Sequence, residues 1–398
     1  MLDTLRFRDF RLIWIATLLS TSSRWMEQVV GGWLVLQLTD SPLWLGIAMA
    51  FRTVGWIFGP FVGIAADRMD RRRLLILAQS VNILQSSLML VLILSGKIQL
   101  WEILALAFVN SIVAAIDWPT RTLLMAELVD KPLLTNAMAF NRMAQDVTQI
   151  AGPLLGGSFI ALFDFQGAYG LIVAINIASV VMIAVSKSPP VSMSTNDVSV
   201  WEDLKQGVGH IRKNRNAQGI LWLAAVANFV GFTLAQTLLP IYVKDIYKTG
   251  PLGLGLLMTA MGVGALIASL AVASRRNMGD KGVVMMASFF SWPALLLLLS
   301  FSPWYAISLV ILIAIGVVQS LTMTTTTSLL IGCVPEDMKG RVMGVRTFVI
   351  TTLPLGNLMA GAGATVMGAQ LTTVANGAIM GSIVLAIWLA YRQLGKMN

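Results

Sequence analysis

Cysteine and histidine are almost absent from this 398-residue chain, which has one of each, Cys333 and His210. An intrachain disulfide and a multi-cysteine metal site are therefore excluded, and a histidine-built metal centre lacks ligands. Charge is scarce as well. Charged residues make up 12% of the chain, against about 25% in an ordinary soluble domain. A water-soluble protein of this length could not cover its surface at that composition. What is there instead is apolar: 57% of the residues, with a mean hydropathy of +0.78. The composition is that of an integral membrane protein. It excludes a soluble enzyme, a secreted disulfide scaffold and, despite a net charge of +9, a nucleic-acid binder.

A membrane-crossing helix takes about 20 mostly apolar residues. Twelve such runs can be read, at 12–37, 43–66, 74–95, 100–124, 137–163, 167–187, 218–242, 252–274, 282–301, 304–329, 342–366 and 369–391. They are continuous rather than alternating, so they predict helices and not a barrel. Arg6, Arg8 and Arg11 precede a first run too long for a signal-peptide core and without a small-residue cleavage site, so it reads as a retained span. Of the 28 lysines and arginines, Lys97, Lys244 and Lys248 fall in alternate, outer loops and Arg24, Arg52 and Arg142 within spans; the other 22 fall on the inner segments. That asymmetry predicts cytoplasmic termini. It also accounts for a pI near 9.9 by setting basic loops against an anionic leaflet.

The expected organisation is an all-α membrane protein with 12 transmembrane helices in two six-helix bundles, 1–187 and 217–398, joined by a cytoplasmic linker at 188–216. The linker opens with Ser188-Pro189-Pro190. Trp201, Leu204, Val208 and Ile211 then recur at helical spacing beside Lys205, Arg212, Lys213 and Arg215, which predicts a short amphipathic helix on the inner membrane surface. A solvated tether is the alternative. His210 lies here, outside the membrane, where it is badly placed for a proton relay. Residues 129–157 lie weakly on 334–362, pairing Met138 with Met343 and Gly156 with Gly361. Parallel six-span repeats are a transporter architecture.

Charges at membrane depth cost roughly 2.5–3.5 kcal/mol on insertion scales and by default point to function. Arg24 and Glu27 lie three residues apart in the first run, among Ser20, Thr21, Ser22, Ser23 and Gln28. Glu27 is the first candidate proton carrier, with Arg24 as its partner; the alternative is a permanent structural ion pair. Asp146 with Arg142 is the second, with a local pair as its alternative. Arg52 is an isolated cation that can serve either carboxylate. One face of the fifth run, with Asn141, Gln145 and Gln149, is too polar for lipid and should line a cavity. Trp25, Gln28, Arg52, Asn228, Gln236 and Gln319 mark the rest of a substrate cavity, although any one of them is individually better explained by packing.

The loop after the second run reads Gly63-Ile64-Ala65-Ala66-Asp67-Arg68-Met69-Asp70-Arg71-Arg72-Arg73. It resembles the Gly-x-x-x-Asp-Arg-x-Gly-Arg-Arg signature of the major facilitator superfamily, with Asp70 where that family usually has glycine. Phe7-Arg8-Asp9-Phe10-Arg11-Leu12, Pro119-Thr120-Arg121, Glu127-Leu128-Val129 and Val334-Pro335-Glu336 narrow the resemblance. Together they look like the branch of enterobactin exporters and macrolide-efflux-type drug:proton antiporters. Gly152-Pro153-Leu154-Leu155-Gly156-Gly157 resembles the antiporter signature of the fifth span; close packing of small residues is the other reading. Asp117 and Arg121, four apart, can pair on one helix face. The resemblance implies a gating latch in which Asp117 pairs with Arg71 or Arg72, and Gly63, Asp67 and Arg68 complete the signature loop.

These readings converge on a proton-coupled exporter of an amphipathic small molecule, of drug or siderophore type, in the bacterial inner membrane. The expected partners are that substrate, protons and the lipid bilayer, with a monomeric chain, no nucleic acid, no cofactor, no metal and no enzymatic activity. An importer on the same fold and a non-transporting sensor or scaffold are the alternatives. The charge asymmetry carries a direct test. Tags fused at Met1 and at Asn398 should both resist external protease in intact spheroplasts, and digestion of either tag would reverse the orientation.

Overall fold

The structure, a computed structural model, describes residues 2–59, 70–187, 200–274 and 280–397, and among them there is no strand. The helices run in chain order as α1 (Arg8–Thr39), α2 (Pro42–Val54), α3 (Arg71–Leu94), α4 (Leu100–Glu127), α5 (Leu134–Val185) and α6 (Val200–Lys213). They continue as α7 (Arg215–Tyr247), α8 (Gly250–Ser274), α9 (Lys281–Ser300), α10 (Tyr305–Gly332) and α11 (Lys339–Ala390). Polar side chains set several of the starts. Asp70 accepts from the backbone N–H groups of Arg72 at 2.8 Å and Arg73 at 3.2 Å, which caps α3 and explains an acid where the signature has glycine. Asn214 caps α7 in the same way, at 3.1 Å from the N–H groups of Asn216 and Ala217.

Among the described residues, eight helices, α3–α5 and α7–α11, are long and apolar enough to cross a membrane. At 52 residues, α5 and α11 are far too long to do so as single rods, since that length would reach roughly 78 Å against a hydrocarbon core of about 30 Å. Each is broken near its middle by one residue at positive φ, Asp164 (φ 56°) in α5 and Gly368 (φ 80°) in α11. Large apolar side chains stand exposed along the helices, Val366 at 83%, as lipid contact requires.

The chain forms two compact units. The first comprises Met1–Thr39, Phe51–Asp197 and Gly250–Gly255; the second comprises Asp40–Ala50, Val198–Thr249 and Leu256–Asn398. In the first, Phe10, Ile13, Leu75, Leu124, Met125 and Ile183 close a core around Phe140, against which Trp14 packs edge-on at 5.6 Å. In the second, buried Trp292 packs edge-on against Phe232 at 5.5 Å. Lys244 pairs with Asp40 and holds that exposed carboxyl below the usual carboxylate range. A helix is present where the spacing predicts one: α6 lies in the second unit, with Gly207 against the backbone carbonyl of Arg341 in α11 and Ile211 buried.

Each unit contains one crossing of the same design, formed by a Pro-Leu-x-Leu-Gly run at a helix start. In the second unit, Pro42 to Gly46 of α2 lies on Gly361 of α11; a Cβ on Gly361 would sit 2.7 Å from the carbonyl oxygen of Pro42. In the first, Pro251 to Gly255 of α8 lies on Gly157 of α5; a Cβ on Gly157 would sit 2.5 Å from the carbonyl oxygen of Pro251. Backbone approaches this close tolerate only glycine. Gly46→Val and Gly255→Val should therefore each destabilise the protein, by about 1–3 kcal/mol. Gly332→Ala, where an added Cβ meets nothing within 4 Å, should be neutral or slightly stabilising. Melting temperatures in detergent measure all three, and unaltered melting of the two valine variants would contradict these crossings.

Candidate functional site

Polar side chains at helical spacing meet inside the apolar interior of the first unit. Arg24 and Glu27 come from α1, Gln79, Asn82 and Gln85 from α3, and Asn110, Asp117 and Arg121 from α4. Arg52 comes from the end of α2. Spacings of three, four and seven residues keep each helix's contributions on one face.

Two buried carboxylates divide these partners. Asp117 accepts from cations on both oxygens: Arg121 at 2.6 and 3.2 Å and Arg24 at 3.1 Å, with the amide of Gln79 adding a bond at 2.9 Å. Glu27 accepts from two neutral amides, Gln85 at 2.7 Å and Asn110 at 3.0 Å. Its cation is Arg52, at 3.7 Å from Oε2. Arg52 also donates to the backbone carbonyl of Arg24 at 2.7 Å. A cavity of about 10 Å³ lies between the carboxylates, lined by Ser20, Ser23, Asn82, Asn110 and Asn176 among others. That is room for about one water. Gln79 Oε1, Asn82 Oδ1, Gln85 Oε1 and Arg121 Nη1 are buried without hydrogen-bond partners.

The geometry corrects two expected pairings. Arg24 points to Asp117, and Arg52 rather than Arg24 is the cation beside Glu27. Asp117 is not paired with Arg71 or Arg72. Arg71 pairs with Glu127 at the end of α4, and Arg72 donates to the last carbonyls of α5, at Ile183 (3.1 Å) and Ala184. The reason is depth: Asp117 lies roughly 15 Å farther along α4 than Glu127, so the α3 arginines meet nearer acceptors first. Gly63, Asp67 and Arg68 lie outside the described residues.

Other candidates fall as follows. Arg142 and Asp146 form a local pair on α5 at 3.0 Å, with Asp146 buried. Asn141 is buried, and Gln145 and Gln149 are half-buried. Gly152 and Gly156 pack on α1 beside Trp25 and Met26, around the buried Pro153. Gln28 is half-buried, with its Nε2 unpartnered. In the second unit, Gln319 is buried, and Asn228 and Gln236 lie in π-helical turns of α7, a feature frequent at functional sites. Gln236 accepts from Asn357 at 2.8 Å, and Asn357 accepts from Thr237 at 3.0 Å.

Sequence reasoning passed over Gln79, Asn82, Gln85, Asn110, Asn176 and Asn357. The spacing of Gln79, Asn82 and Gln85 is a usable signal: three amides on one face of a helix that is mostly apolar beyond its opening arginines.

A family profile described as transmembrane secretion effector matches residues 2–397. The chain belongs to this family of major facilitator transporters. It is 24% identical to the staphyloferrin A transporter of Staphylococcus aureus, covering 92% of this chain and 91% of that one. It is 19% identical to macrolide efflux protein A of Streptococcus pyogenes, covering 71% and 70%. Among solved structures, a POT family transporter in complex with a thioalcohol-conjugated peptide superposes with a TM-score of 0.77 at 12% identity, over 97% and 96% of the two chains. This family member is thus a multi-pass membrane transporter with the fold of the superfamily.

The two carboxylates differ in what their loss leaves behind. Asp117→Asn strands the buried guanidinium of Arg121 and the half-buried one of Arg24, and breaking a buried pair costs about 3–5 kcal/mol. Glu27→Gln removes a carboxylate held mainly by neutral amides, which can turn over to suit a neutral partner, and should cost about 1 kcal/mol. Melting in detergent should therefore fall far more for Asp117→Asn than for Glu27→Gln. Equal losses would refute this division.

Proposed function

We propose that the chain is a proton-coupled exporter of amphipathic small molecules, of siderophore or drug type, in a bacterial inner membrane. Counting the broken helices α5 and α11 twice each, and adding α1 and α2, makes twelve spans in two six-span bundles, 1–187 and 217–398. The linker 188–216 and both termini are cytoplasmic, and the chain works as a monomer by alternating access. The names of the relatives, a siderophore transporter and a macrolide efflux protein, support the substrate class.

The observation that carries the reading is the setting of Glu27. It is a buried carboxylate whose direct hydrogen bonds come from neutral amides. Gln85 donates to it through Nε2 and keeps a buried Oε1 without a partner. Rotation of that amide supplies an acceptor for a protonated carboxyl, so both forms of Glu27 can be satisfied in place. Asp117, with cationic donors on both oxygens, has no such exchange and serves as the fixed structural charge. Asp146 with Arg142 is the rival coupling site. Arg52 offsets the charge of Glu27; Trp25, Gln28, Asn141, Gln145 and Gln149 are the substrate-contact residues of the first unit, and Asn228, Gln236 and Gln319 those of the second. The motif Gly152, Pro153, Gly156 and Gly157 gives α5 its close packing. Gly63, Asp67, Arg68, Arg71 and Arg72 with Glu127 form the gating loop.

Transport into inverted vesicles under an imposed proton gradient, with siderophores, macrolides and cationic dyes as the panel, tests this. Wild type should concentrate at least one panel member inside, the direction expected of export. Glu27→Gln should lose active uptake at least tenfold while retaining substrate exchange without a gradient. Normal pumping by Glu27→Gln with a dead Asp146→Asn would move coupling to α5, and normal pumping by both would remove protons from the mechanism.

A further inference from the structure

The corner where α6 ends and α7 begins holds a cleft of about 360 Å³, lined by His210, Lys213, Asn214, Arg215, Asn216 and Gln393. That volume lies within the range of small-molecule sites, about 300–1,000 Å³. The lining contains two fixed cations and the chain's single histidine, and no carboxylate. Nε2 of His210 is buried with no hydrogen-bond partner, as is Oδ1 of Asn216.

The neighbouring groups are already engaged with protein partners. Asn214 caps α7 with its oxygen and donates through Nδ2 to the carbonyl of Cys333 at 2.8 Å. Arg215 lies over the ring of Tyr391 at 5.8 Å and donates one N–H to the carbonyl of Ala390 at 3.3 Å, so its guanidinium is positioned with donors to spare. Lys213 is exposed. A buried ring nitrogen without a partner is costly. Beside two cations it is best satisfied by an anion with several acceptor oxygens. The Asn216 amide can turn its NH₂ toward such a ligand.

We propose that this cleft binds a phosphate group. A carboxylate offers two oxygens; a phosphate offers more, and so uses His210, Lys213, Arg215 and an amide together through charge-assisted bonds. The phosphate belongs either to the headgroup of an anionic phospholipid in the inner leaflet or to a soluble phosphate compound. Either source ties the linker helix α6 to the start of α7 and to the C-terminal segment around Gln393. This site is independent of the proposed coupling at Glu27.

Native mass spectrometry of the purified full chain tests the lipid source, with phosphatidylglycerol titrated against phosphatidylcholine. Equilibrium dialysis against inorganic phosphate tests the soluble one. Wild type should retain one phosphatidylglycerol about tenfold more tightly than the His210→Gln/Lys213→Gln variant, with no such difference for phosphatidylcholine. Lys213→Arg should retain most of the affinity. Binding of inorganic phosphate that depends on the same two residues, without lipid selectivity, keeps the site and assigns it to the soluble source. If the double variant fails to fold, Lys213→Gln alone at its exposed position should still weaken binding about threefold. Equal lipid retention and equal phosphate binding in wild type and variant would overturn the proposal.

Discussion

The carboxylate of Asp117 binds three helices of the first unit together, through Arg24 on α1, Gln79 on α3 and Arg121 on α4. A charge in that apolar interior is tolerable only because each oxygen accepts from a cation. The requirement spreads outward. Arg24 is drawn to Asp117, so the positive charge near Glu27 comes from α2 instead, through Arg52. Arg52 in turn bonds the backbone of α1 at Arg24, which locks the end of α2 to the same cluster. The polar faces of α1, α3 and α4 are therefore set by one buried ion.

The proposed transport role rests on the contrast between two buried acids. Asp117 accepts from two cations and one amide, whereas the direct donors to Glu27 are two amides, with Arg52 farther off at 3.7 Å. A neutral amide can present either its donor or its acceptor end, whereas a guanidinium can only donate. The difference between a fixed charge and one able to take a proton therefore lies in the neighbours and not in the acids. Asp146 is a third case, an acid paired one helical turn away on its own helix.

The two Pro-Leu-x-Leu-Gly runs show how a repeated design survives with little overall sequence similarity. A proline at the helix start and a glycine one turn later place a smooth strip of backbone against another glycine, Gly157 in one unit and Gly361 in the other. The breaks at Asp164 and Gly368 repeat in the same manner. Packing at van der Waals distance constrains these few positions tightly, while lipid-facing positions need only be apolar.

Composition and run length by themselves determined that this is a membrane protein of apolar helices. Lipid admits few backbone solutions and hydropathy records them directly; the helix at Val200–Lys213 was legible instead from the spacing of Leu204, Val208 and Ile211. The motifs around Arg71 and Gly152 were enough to identify the superfamily. Within the candidate site, Arg24, Glu27, Asp117 and Arg121 stood out because any charge at membrane depth is costly. Their pairing was not legible. A helix face is visible in spacing, but which face meets which depends on helix rotation and depth, and that reassigned Arg24 to Asp117 and Arg71 to Glu127. The amides of Gln79, Gln85 and Asn110 were hidden for a related reason. An uncharged polar residue in an apolar run is ordinary until the tertiary structure places it against a buried carboxylate.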